Sequence, residues 1–255
     1  MTMDNSMKIT ILGSGTSTGV PQIGCQCAVC RSSDARDKRL RQSALVEWRG
    51  KRIMIDCGPD FRQQILGTGD AHLDALLITH IHYDHIGGLE ELRGFGNFPI
   101  YARHDVIAAL RSRLAYCFAE HPYPGVPHFN LLEINDRNSF DCSGIEVQPI
   151  PVMHYKLPIL GFRIGPLAYI TDCKTISQEH VDRLHGVPLL VLNALRLTDH
   201  LSHLSLWQAL DLVKEINPGR TVLIHMCHGI GLHAKTSALL PPGVELAYDG
   251  MEITV

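Results

Sequence analysis

The chain has 255 residues, of which 45% are hydrophobic and 19% are charged. This is the composition of an ordinary globular protein, and it excludes an intrinsically disordered one. The 23 basic and 26 acidic residues give a net charge of −3, which disfavours a protein built to wrap long nucleic acid. No apolar run approaches the roughly 20 residues that cross a bilayer. Residues 1–7 lack the features of a secretory signal and are interpreted as an extension or alternative start, so we expect a cytoplasmic protein without a membrane partner.

Strand-like and helix-like patterns can be assigned along most of the chain. In the first half, strands are predicted at 8–12, 43–48, 52–56 and 75–79, and helices at 60–66 and 106–119. In the second half, strands are predicted at 145–149, 161–164, 167–171, 189–193, 221–225, 244–248 and 251–255, and helices at 178–185 and 205–216. The early strands are expected as hairpins, whereas the later ones alternate with helices. This order predicts one α/β domain over residues 1–255, with helices covering both faces of mixed sheets.

A glycine-rich segment, residues 13–19, follows the first predicted strand. Its spacing is G-x-G-x-x-x-G and a cysteine-bearing loop follows it, so it is not a dinucleotide-binding fingerprint. A tight turn is the simplest interpretation. The alternative is that its backbone amides also face a substrate phosphate.

Eight cysteines and fifteen histidines are the unusual counts in this composition. Without a secretion signal, four disulfides are not expected, so metal ligation and buried thiols are the better interpretations. The densest signal is His80-Ile81-His82-Tyr83-Asp84-His85, directly after the strand predicted at 75–79. Imidazole and carboxylate ligands suit zinc, manganese or iron. Strand alternation places His80 and His82 on one side while Asp84 and His85 turn away, which suggests two metal ions; the alternative is a polar surface loop.

The motif H-x-H-x-D-H after a strand resembles the signature of the metallo-β-lactamase superfamily. The resemblance covers nearly the whole chain, because the segment 56–58 resembles the early strand-end motif of that family and further candidate ligands follow later strands. It implies an αββα sandwich, in which two mixed β-sheets pack face to face with helices outside and a dinuclear metal site lies at one edge. The implied ligand sets are His80, His82 and His154 for one ion and Asp84, His85 and His225 for the other, with Asp172 bridging.

The resemblance thus implies two divalent ions, manganese or zinc, in the active site. A bridging carboxylate offsets the repulsion between two dications that lie roughly 3.5–4 Å apart. Asp56 is expected to orient a metal-bound imidazole through its other ring nitrogen, rather than to bind a metal itself.

A structural zinc site is predicted in the loop at about residues 20–41. Its three thiols belong to Cys25, Cys27 and Cys30. Structural zinc needs four ligands in a closed tetrahedron, and His228 is expected as the fourth, with Cys227 as its rival. The alternative is a set of free thiols. A redox pair is disfavoured because no helix N-terminus follows to lower a thiolate pKa.

The fold does not decide the activity, but local residues narrow it. Histidine at position 82 argues against the di-iron members of the superfamily, and the Asp84-His85 pair argues against the classical β-lactamases. A histidine at the start of the helix predicted at 205–216 resembles the phosphodiesterase branch, which includes the transfer-RNA 3′-processing nucleases. His203 is carried over as that residue, and His200 is the runner-up.

Within this branch the chain resembles most the phosphoribosyl 1,2-cyclic phosphate phosphodiesterases of the carbon–phosphorus lyase pathway. The shared motifs are G-x-G-x-x-x-G-V-P, C-x-C-x-x-C, H-x-H-x-D-H and a final D-G-M-E-I. The RNA-clamping arm of the nucleases has no counterpart of sufficient length, and the basic run 31–41 is interpreted as a solvated loop. Residues 121–129 cannot be matched to the family and are either a lid or a proline-stiffened loop.

We therefore expect a metal-dependent phosphodiesterase that hydrolyses a small, cyclic phosphodiester of the phosphoribosyl or nucleotide type. A hydroxide activated by both ions would attack phosphorus, with Asp84 and His203 as the catalytic residues. His203 would protonate the leaving alkoxide, an effect worth about 10²–10⁴-fold. The alternatives are a transfer-RNA 3′-processing-type endonuclease and a non-catalytic accessory protein of cofactor biosynthesis. The small substrate is the expected partner, and a homodimer is the assembly left open.

Overall fold

The computed structural model describes residues 6–255, and residues 1–5 of the predicted N-terminal extension lie outside this range. Within it, seven strands form a first sheet in the order β15-β1-β2-β3-β4-β5-β6. These strands are β1 (Lys8–Gly13), β2 (Ser43–Trp48), β3 (Lys51–Ile55), β4 (Ala75–Leu77), β5 (Asn97–Arg103), β6 (His128–Ile134) and β15 (Met251–Thr254). Pairing is antiparallel from β15 to β3 and parallel from β3 to β6. The expectation of hairpins is therefore confirmed for β2 and β3 and wrong from β4 onward, where parallel neighbours need crossover connections.

The second sheet carries the later part of the described chain. Its strands are β7 (Phe140–Cys142), β8 (Ile145–His154), β9 (Leu157–Ile164), β10 (Leu167–Ile170), β11 (Thr175–Ile176), β12 (Leu189–Asn193), β13 (Arg220–Ile224) and β14 (Val244–Leu246). Their order is β11-β8-β9-β10-β12-β13-β14, with β7 also paired to β8. Strands β8, β9 and β10 form an antiparallel meander, and β10, β12, β13 and β14 run parallel. Parallel pairing aligns the carboxyl ends of β10 and β13 at one edge of the sheet.

Across residues 6–255, six α-helices flank the sheets. They are α1 (Phe61–Gly67), α2 (Tyr83–Ile86), α3 (His104–Arg113), α4 (Gln178–Leu184), α5 (Leu206–Ile216) and α6 (His233–Ser237). Helix α5 begins at a capping box in which the Ser205 and Gln208 side chains bond each other's backbone amides, and it ends at left-handed Asn217. None of the helices in the described range has the length and apolar character needed to cross a membrane.

Two apolar cores define the layers. Alternate residues of β3 face opposite ways: Ile53 and Ile55 join the core between the two sheets, whereas Met54 joins a second core beneath α1 and α3. The outer face of the second sheet is covered by α4 and α5, whose buried Leu184 and Leu206 belong to the larger core. Helices therefore lie outside both sheets, and the predicted αββα sandwich is confirmed.

The structure differs from the predicted elements mainly between residues 97 and 142. Strands β5, β6 and β7 were not predicted, and the helix expected at 106–119 ends at Arg113 and is followed by a 3₁₀ turn over Ala115–Phe118. Strand β6 includes the last two residues of the segment 121–129, so that part is neither a lid nor a loop. Strand β5 is difficult to predict because it contains Pro99 and few β-branched residues. It is stabilised by pairing with β4 on one side and β6 on the other rather than by local propensity.

The two-residue turn between β8 and β9 contains a strained tyrosine. His154 pairs with Leu157, so Tyr155 and Lys156 form the turn, and Tyr155 has a φ of 56°. A left-handed φ costs a non-glycine residue about 1–2 kcal/mol, which exceeds the entropy cost of glycine. We expect Tyr155→Gly to raise the free energy of unfolding by about 0.5–1 kcal/mol, as measured by urea denaturation. Lys156→Gly, at a position without positive φ, should give no gain; an equal gain in both variants would contradict this explanation.

Candidate active site

The predicted active-site residues lie where strands of the two sheets end. His80 and His82 follow β4, His154 is the last residue of β8, Asp172 follows β10, and His225 follows β13. Asp172 and His225 have φ values of 54° and 58°. Non-glycine residues adopt this left-handed conformation rarely, and it is enriched at functional sites. These turns end the strands and bring the side chains together at one edge of the sandwich.

His80, His82 and His154 form a first group whose potential ligand atoms lie within 4.8 Å of one another. The ring centroid of His82 is 4.6 Å from that of His80 and 5.1 Å from that of His154. The Nδ1 atom of His154 donates to the Ser202 carbonyl oxygen at 2.8 Å, which fixes the ring and leaves Nε2 for another partner. This is the trio predicted for the first ion.

Asp84, His85 and His225 form a second group within the same distance limit. Asp84 and His85 lie in the single turn of α2, and both side chains are buried. His85 Nε2 lies 3.2 Å from Asp84 Oδ2, and the imidazoles of His85 and His225 stack at 5.7 Å. Although burial opposes it, the neighbouring His85 holds the pKa of Asp84 well below its usual range, so this carboxylate is ionised.

The carboxylate of Asp172 lies between the two groups. Its Oδ2 atom is 3.3 Å from His85 Nε2, and its Oδ1 atom is 3.2 Å from His225 Nε2. Asp172 also shares a possible ligand cluster with His80 and His85. Against the effect of burial, the imidazoles of His225 and His85 hold the pKa of Asp172 well below its usual range. Asp172 therefore occupies the central position that a bridging ligand requires.

Two buried nitrogen atoms test whether a metal pair fits these residues. Among the described residues, His80 Nε2 has no hydrogen-bond partner, and His85 Nε2 lies beside the carboxylates of Asp84 and Asp172 without a well-formed hydrogen bond, although buried polar atoms are almost always paired. Burial also holds the pKa of His80 well below its usual range, so its imidazole is neutral and has a lone pair to offer. Imidazoles and carboxylates together suit zinc, manganese or iron. The residues therefore fit divalent ions.

Asp56 lies behind this cluster and is completely buried. It accepts hydrogen bonds from the Thr79 backbone amide at 2.9 Å and from His85 Nδ1 at 2.7 Å. A carboxylate bound to one ring nitrogen fixes the imidazole so that the other nitrogen faces the metal site. This geometry is the one that the predicted orienting role of Asp56 requires.

His203 contacts the central carboxylate directly. Its Nε2 atom is 2.9 Å from Asp172 Oδ1, while its Nδ1 atom is 3.0 Å from Ser202 Oγ and 3.1 Å from His200 Nδ1. His203 is buried, whereas His200 is only partly buried. Of the two candidates from the sequence, His203 is therefore the one that faces the site. His154, Asp172 and His203 are also close enough to share an ion, so His203 has the geometry of a proton donor or of a ligand.

The cysteine loop forms a separate cluster with His228. The Sγ atoms of Cys25, Cys27 and Cys30 lie 3.2, 3.4 and 3.5 Å from His228 Nδ1. A tetrahedral zinc ion places sulfur and nitrogen ligands about 3.5 Å apart, as its bond lengths require. Cys227, the rival fourth ligand, is not in this cluster, and its Sγ accepts a hydrogen bond from the Gly229 amide instead.

A cysteine substitution separates a zinc site from a set of free thiols. The Cys30 backbone amide lowers the pKa of Cys27 to about 6, so this thiol is readily ionised to the form that binds metal. We expect Cys27→Ser to remove about one equivalent of zinc, measured by mass spectrometry of the metals in purified protein, and to lower the melting temperature. Cys227→Ser is the matched control and should retain that zinc. Equal zinc contents in both variants would contradict the predicted ligand set.

Two polar side chains at the site were not identified from the sequence as functional residues. Thr16 Oγ1 lies 3.1 Å from His225 Nε2. Lys174 Nζ donates to Gln208 Oε1 at 2.9 Å and to the His203 carbonyl oxygen at 3.4 Å, so it holds the segment that carries His203. The spacing of the glycine-rich segment predicts a tight turn or backbone amides that face a phosphate, and the threonines within it are the signal that points to a side-chain role. No local pattern marks Lys174.

Residues 51–226 match the model of the Beta-lactamase superfamily domain. The chain belongs to the metallo-β-lactamase superfamily. It is also similar to the octanoyltransferase of Porphyromonas gingivalis, with 45% identity over 254 residues that represent 98% of this chain and 52% of the relative. The chain thus spans about half the length of that relative.

Two solved structures share the fold over nearly their full length. A new diphosphatase from the PhnP family has a TM-score of 0.91 and 35% identity, covering 98% of this chain and 97% of its own. Zn²⁺-bound PqqB from Methylobacterium extorquens has a TM-score of 0.80 and 21% identity, covering 97% and 100%. At this lower identity the likeness to PqqB concerns the fold alone.

Proposed function

We propose that this chain is a metal-dependent phosphodiesterase that hydrolyses a small, cyclic phosphodiester of the phosphoribosyl or nucleotide type. The observation that carries the proposal is the placement of Asp172 between two metal-binding groups, with His203 hydrogen-bonded to the same carboxylate. The 35% identity to a PhnP-family diphosphatase supports hydrolysis at phosphorus. That enzyme's name concerns a diphosphate, so the type of phosphorus ester is the part of the proposal that needs an assay.

The proposed mechanism assigns a part to each polar residue of the site. The ions would be held by His80, His82 and His154 on one side and by Asp84, His85 and His225 on the other, with Asp172 shared. When bound, two divalent ions act as Lewis acids on a phosphoryl oxygen and lower the pKa of water to about 7.

The proton donor and its supports come from the chain itself. His203 donates a proton from Nε2 to the departing oxygen, because alkoxide is a poor leaving group without one. This imidazole is kept in position by contacts with Ser202 Oγ and His200. The contact of Lys174 with the His203 carbonyl oxygen holds the backbone that carries it. The ionised Asp84 carboxylate would accept a hydrogen bond from the attacking hydroxide, which water forms by releasing a proton to solvent, and so would orient it. The bond from this oxygen to phosphorus forms as the bond to the leaving oxygen breaks.

The basic run 31–41 supports a small substrate rather than a long nucleic acid. Arg36 and Arg41 each form an ion pair with a carboxylate of the chain, and Arg39 is buried. Lys38 Nζ donates to the Cys30 carbonyl oxygen. Four of the five cations in this run are therefore bonded within the chain or buried, whereas a nucleic-acid surface needs cations that are free to contact phosphates.

The name of the octanoyltransferase relative does not imply that this chain transfers octanoyl groups. This chain matches only 52% of that relative, so the transfer reaction can belong to the remainder. The family likeness to PQQ synthesis protein B keeps an accessory role in cofactor biosynthesis as the second candidate.

A panel assay on protein reconstituted with Mn²⁺ or Zn²⁺ tests the proposal. We expect hydrolysis of cyclic and small linear phosphodiesters to exceed that of diphosphates and of precursor transfer RNA. Faster cleavage of diphosphates would mean that the substrate is a phosphoric anhydride and not a phosphodiester. Selective cleavage of precursor transfer RNA would favour the nuclease. Full metal occupancy without any hydrolysis would favour the accessory role.

A further inference from the structure

The glycine-rich segment lies directly against the end of β13. Gly15 forms a parallel bridge with Met226, and the Thr16 amide donates to the Met226 carbonyl oxygen at 3.1 Å. The Met226 amide in turn donates to the Ser14 carbonyl oxygen at 3.0 Å. Two backbone hydrogen bonds therefore fix Thr16 beside the residue that follows His225.

The segment also has little freedom to move away. A Cβ atom added to Gly15 would lie 2.8 Å from the Leu40 carbonyl oxygen, and one added to Gly13 would overlap the Arg41 carbonyl oxygen. Such close backbone approach is open only to glycine. The backbone next to Thr16 thus lies between residues 40–41 on one side and Met226 on the other.

The buried hydroxyl of Thr16 faces the reacting part of the site. Thr16 is 6% exposed, and its Oγ1 atom lies 3.1 Å from His225 Nε2. The same nitrogen is 3.2 Å from Asp172 Oδ1, whereas His225 Nδ1 faces Thr171 Oγ1 at 3.4 Å. Nε2 is therefore the nitrogen that points at the shared carboxylate and that would bind the second ion.

Metal binding would change the partner of this hydroxyl. A nitrogen bound to a cation has no lone pair left to accept a hydrogen bond. The Thr16 hydroxyl, held in place by its backbone, would then lie beside the ion with its donor available to a group that binds there. A phosphoryl oxygen at the dinuclear site is an acceptor of this kind.

We propose that Thr16 is a substrate-binding residue that donates a hydrogen bond to a non-bridging phosphoryl oxygen. The inference rests on the proposed hydrolysis at phosphorus and adds to it a fixed neutral donor. It differs from the expectation that the backbone amides of residues 13–19 face the phosphate, because here the donor is a side chain.

Binding of inorganic phosphate tests this role without requiring turnover. We expect Thr16→Val, which keeps the side-chain shape, to weaken phosphate binding to metal-loaded protein about 10- to 100-fold in isothermal titration calorimetry. Thr16→Ser keeps the hydroxyl and should stay close to the wild-type protein. Metal content should be unchanged in both, since His225 retains its ring. The kcat/KM for the preferred diester should fall in Thr16→Val by a similar factor.

The same loop offers a matched control. Thr18 donates to the Gly19 carbonyl oxygen and is exposed, so Thr18→Val should leave phosphate affinity unchanged. If Thr16→Val fails to fold, the comparison of Thr16→Ala with Thr16→Ser provides the same test. Unaltered phosphate affinity in the folded variant would overturn the proposal, and so would loss of metal in proportion to the loss of phosphate binding.

The outcomes separate this inference from the proposed activity. Wild-type protein that binds phosphate through Thr16 but cleaves no diester would leave Thr16 as an anion-binding residue and remove the diesterase assignment. If the protein hydrolyses diesters but its phosphate affinity does not depend on the Thr16 hydroxyl, the diesterase assignment stays and the role of Thr16 is refuted.

Discussion

His203→Ala is expected to lower turnover of an alkyl phosphodiester by about 10²–10⁴-fold. The imidazole contacts the central carboxylate at 2.9 Å, so under the proposed mechanism it would lie beside a diester bound at the dinuclear site and could protonate its leaving oxygen. A bis-nitrophenyl diester has a leaving group that departs without a proton, so its loss should be much smaller. The measurement is kcat for both substrates on protein loaded with the same metal.

The metal content of His203→Ala decides between the two roles that the geometry allows. A proton donor can be removed while both ions stay bound, whereas removal of a ligand would lower the number of ions per chain. His185, an exposed histidine after α4, supplies the matched control, since His185→Ala should change neither rate nor metal content. Equal losses on both diesters would refute the general-acid role.

Asp172→Ala is expected to lower metal affinity by at least about 10²-fold and to abolish most activity with every substrate. The substitution removes the carboxylate that contacts His85 on one side and His225 on the other. It therefore weakens both ion sites at once, unlike the loss of a histidine from one group. Metals per chain, measured after dialysis against a buffer of fixed free metal concentration, test the expectation.

An isosteric variant distinguishes the loss of a metal ligand from a general loss of folding. Asp172→Asn keeps the volume of the side chain and should also lose metal, because an amide does not supply the negative charge that two dications require. Asp211→Ala, on the exposed face of α5, should retain full occupancy. Full occupancy in both Asp172 variants would remove the bridging assignment.

One short segment connects the active site with the cysteine cluster. His225 ends β13 and contacts Asp172, and His228, three positions later, lies among the three cysteine thiols. The loop that carries those thiols returns to the glycine-rich segment through the bridge between Val20 and Arg39. A zinc ion at the cysteines would therefore stabilise the loop that presents Thr16 to the active site.

The amino-acid sequence predicted one α/β domain with mixed sheets, and its resemblance to a known family added the sandwich fold and most of the residues that the structure brings together at its edge. The H-x-H-x-D-H motif is local in the sequence. Its position after β4, and the opposite directions expected for its first two histidines and for the Asp-His pair, therefore follow from strand and turn geometry. The later residues, including His154 and Asp172, were selected by family resemblance, and the structure places them at strand ends in one cluster.

The tertiary structure decided what depends on residues far apart in the chain. Strands β5 and β6 pair in parallel with each other, and β5, which contains Pro99, also pairs with β4; this long-range pairing leaves no local signal in the sequence. The sequence already favoured His203 over His200 and His228 over Cys227, but only distances between loops show which member of each pair reaches its site. Thr16 reaches His225 across 209 positions, since sheet order rather than sequence order sets which strand ends are neighbours.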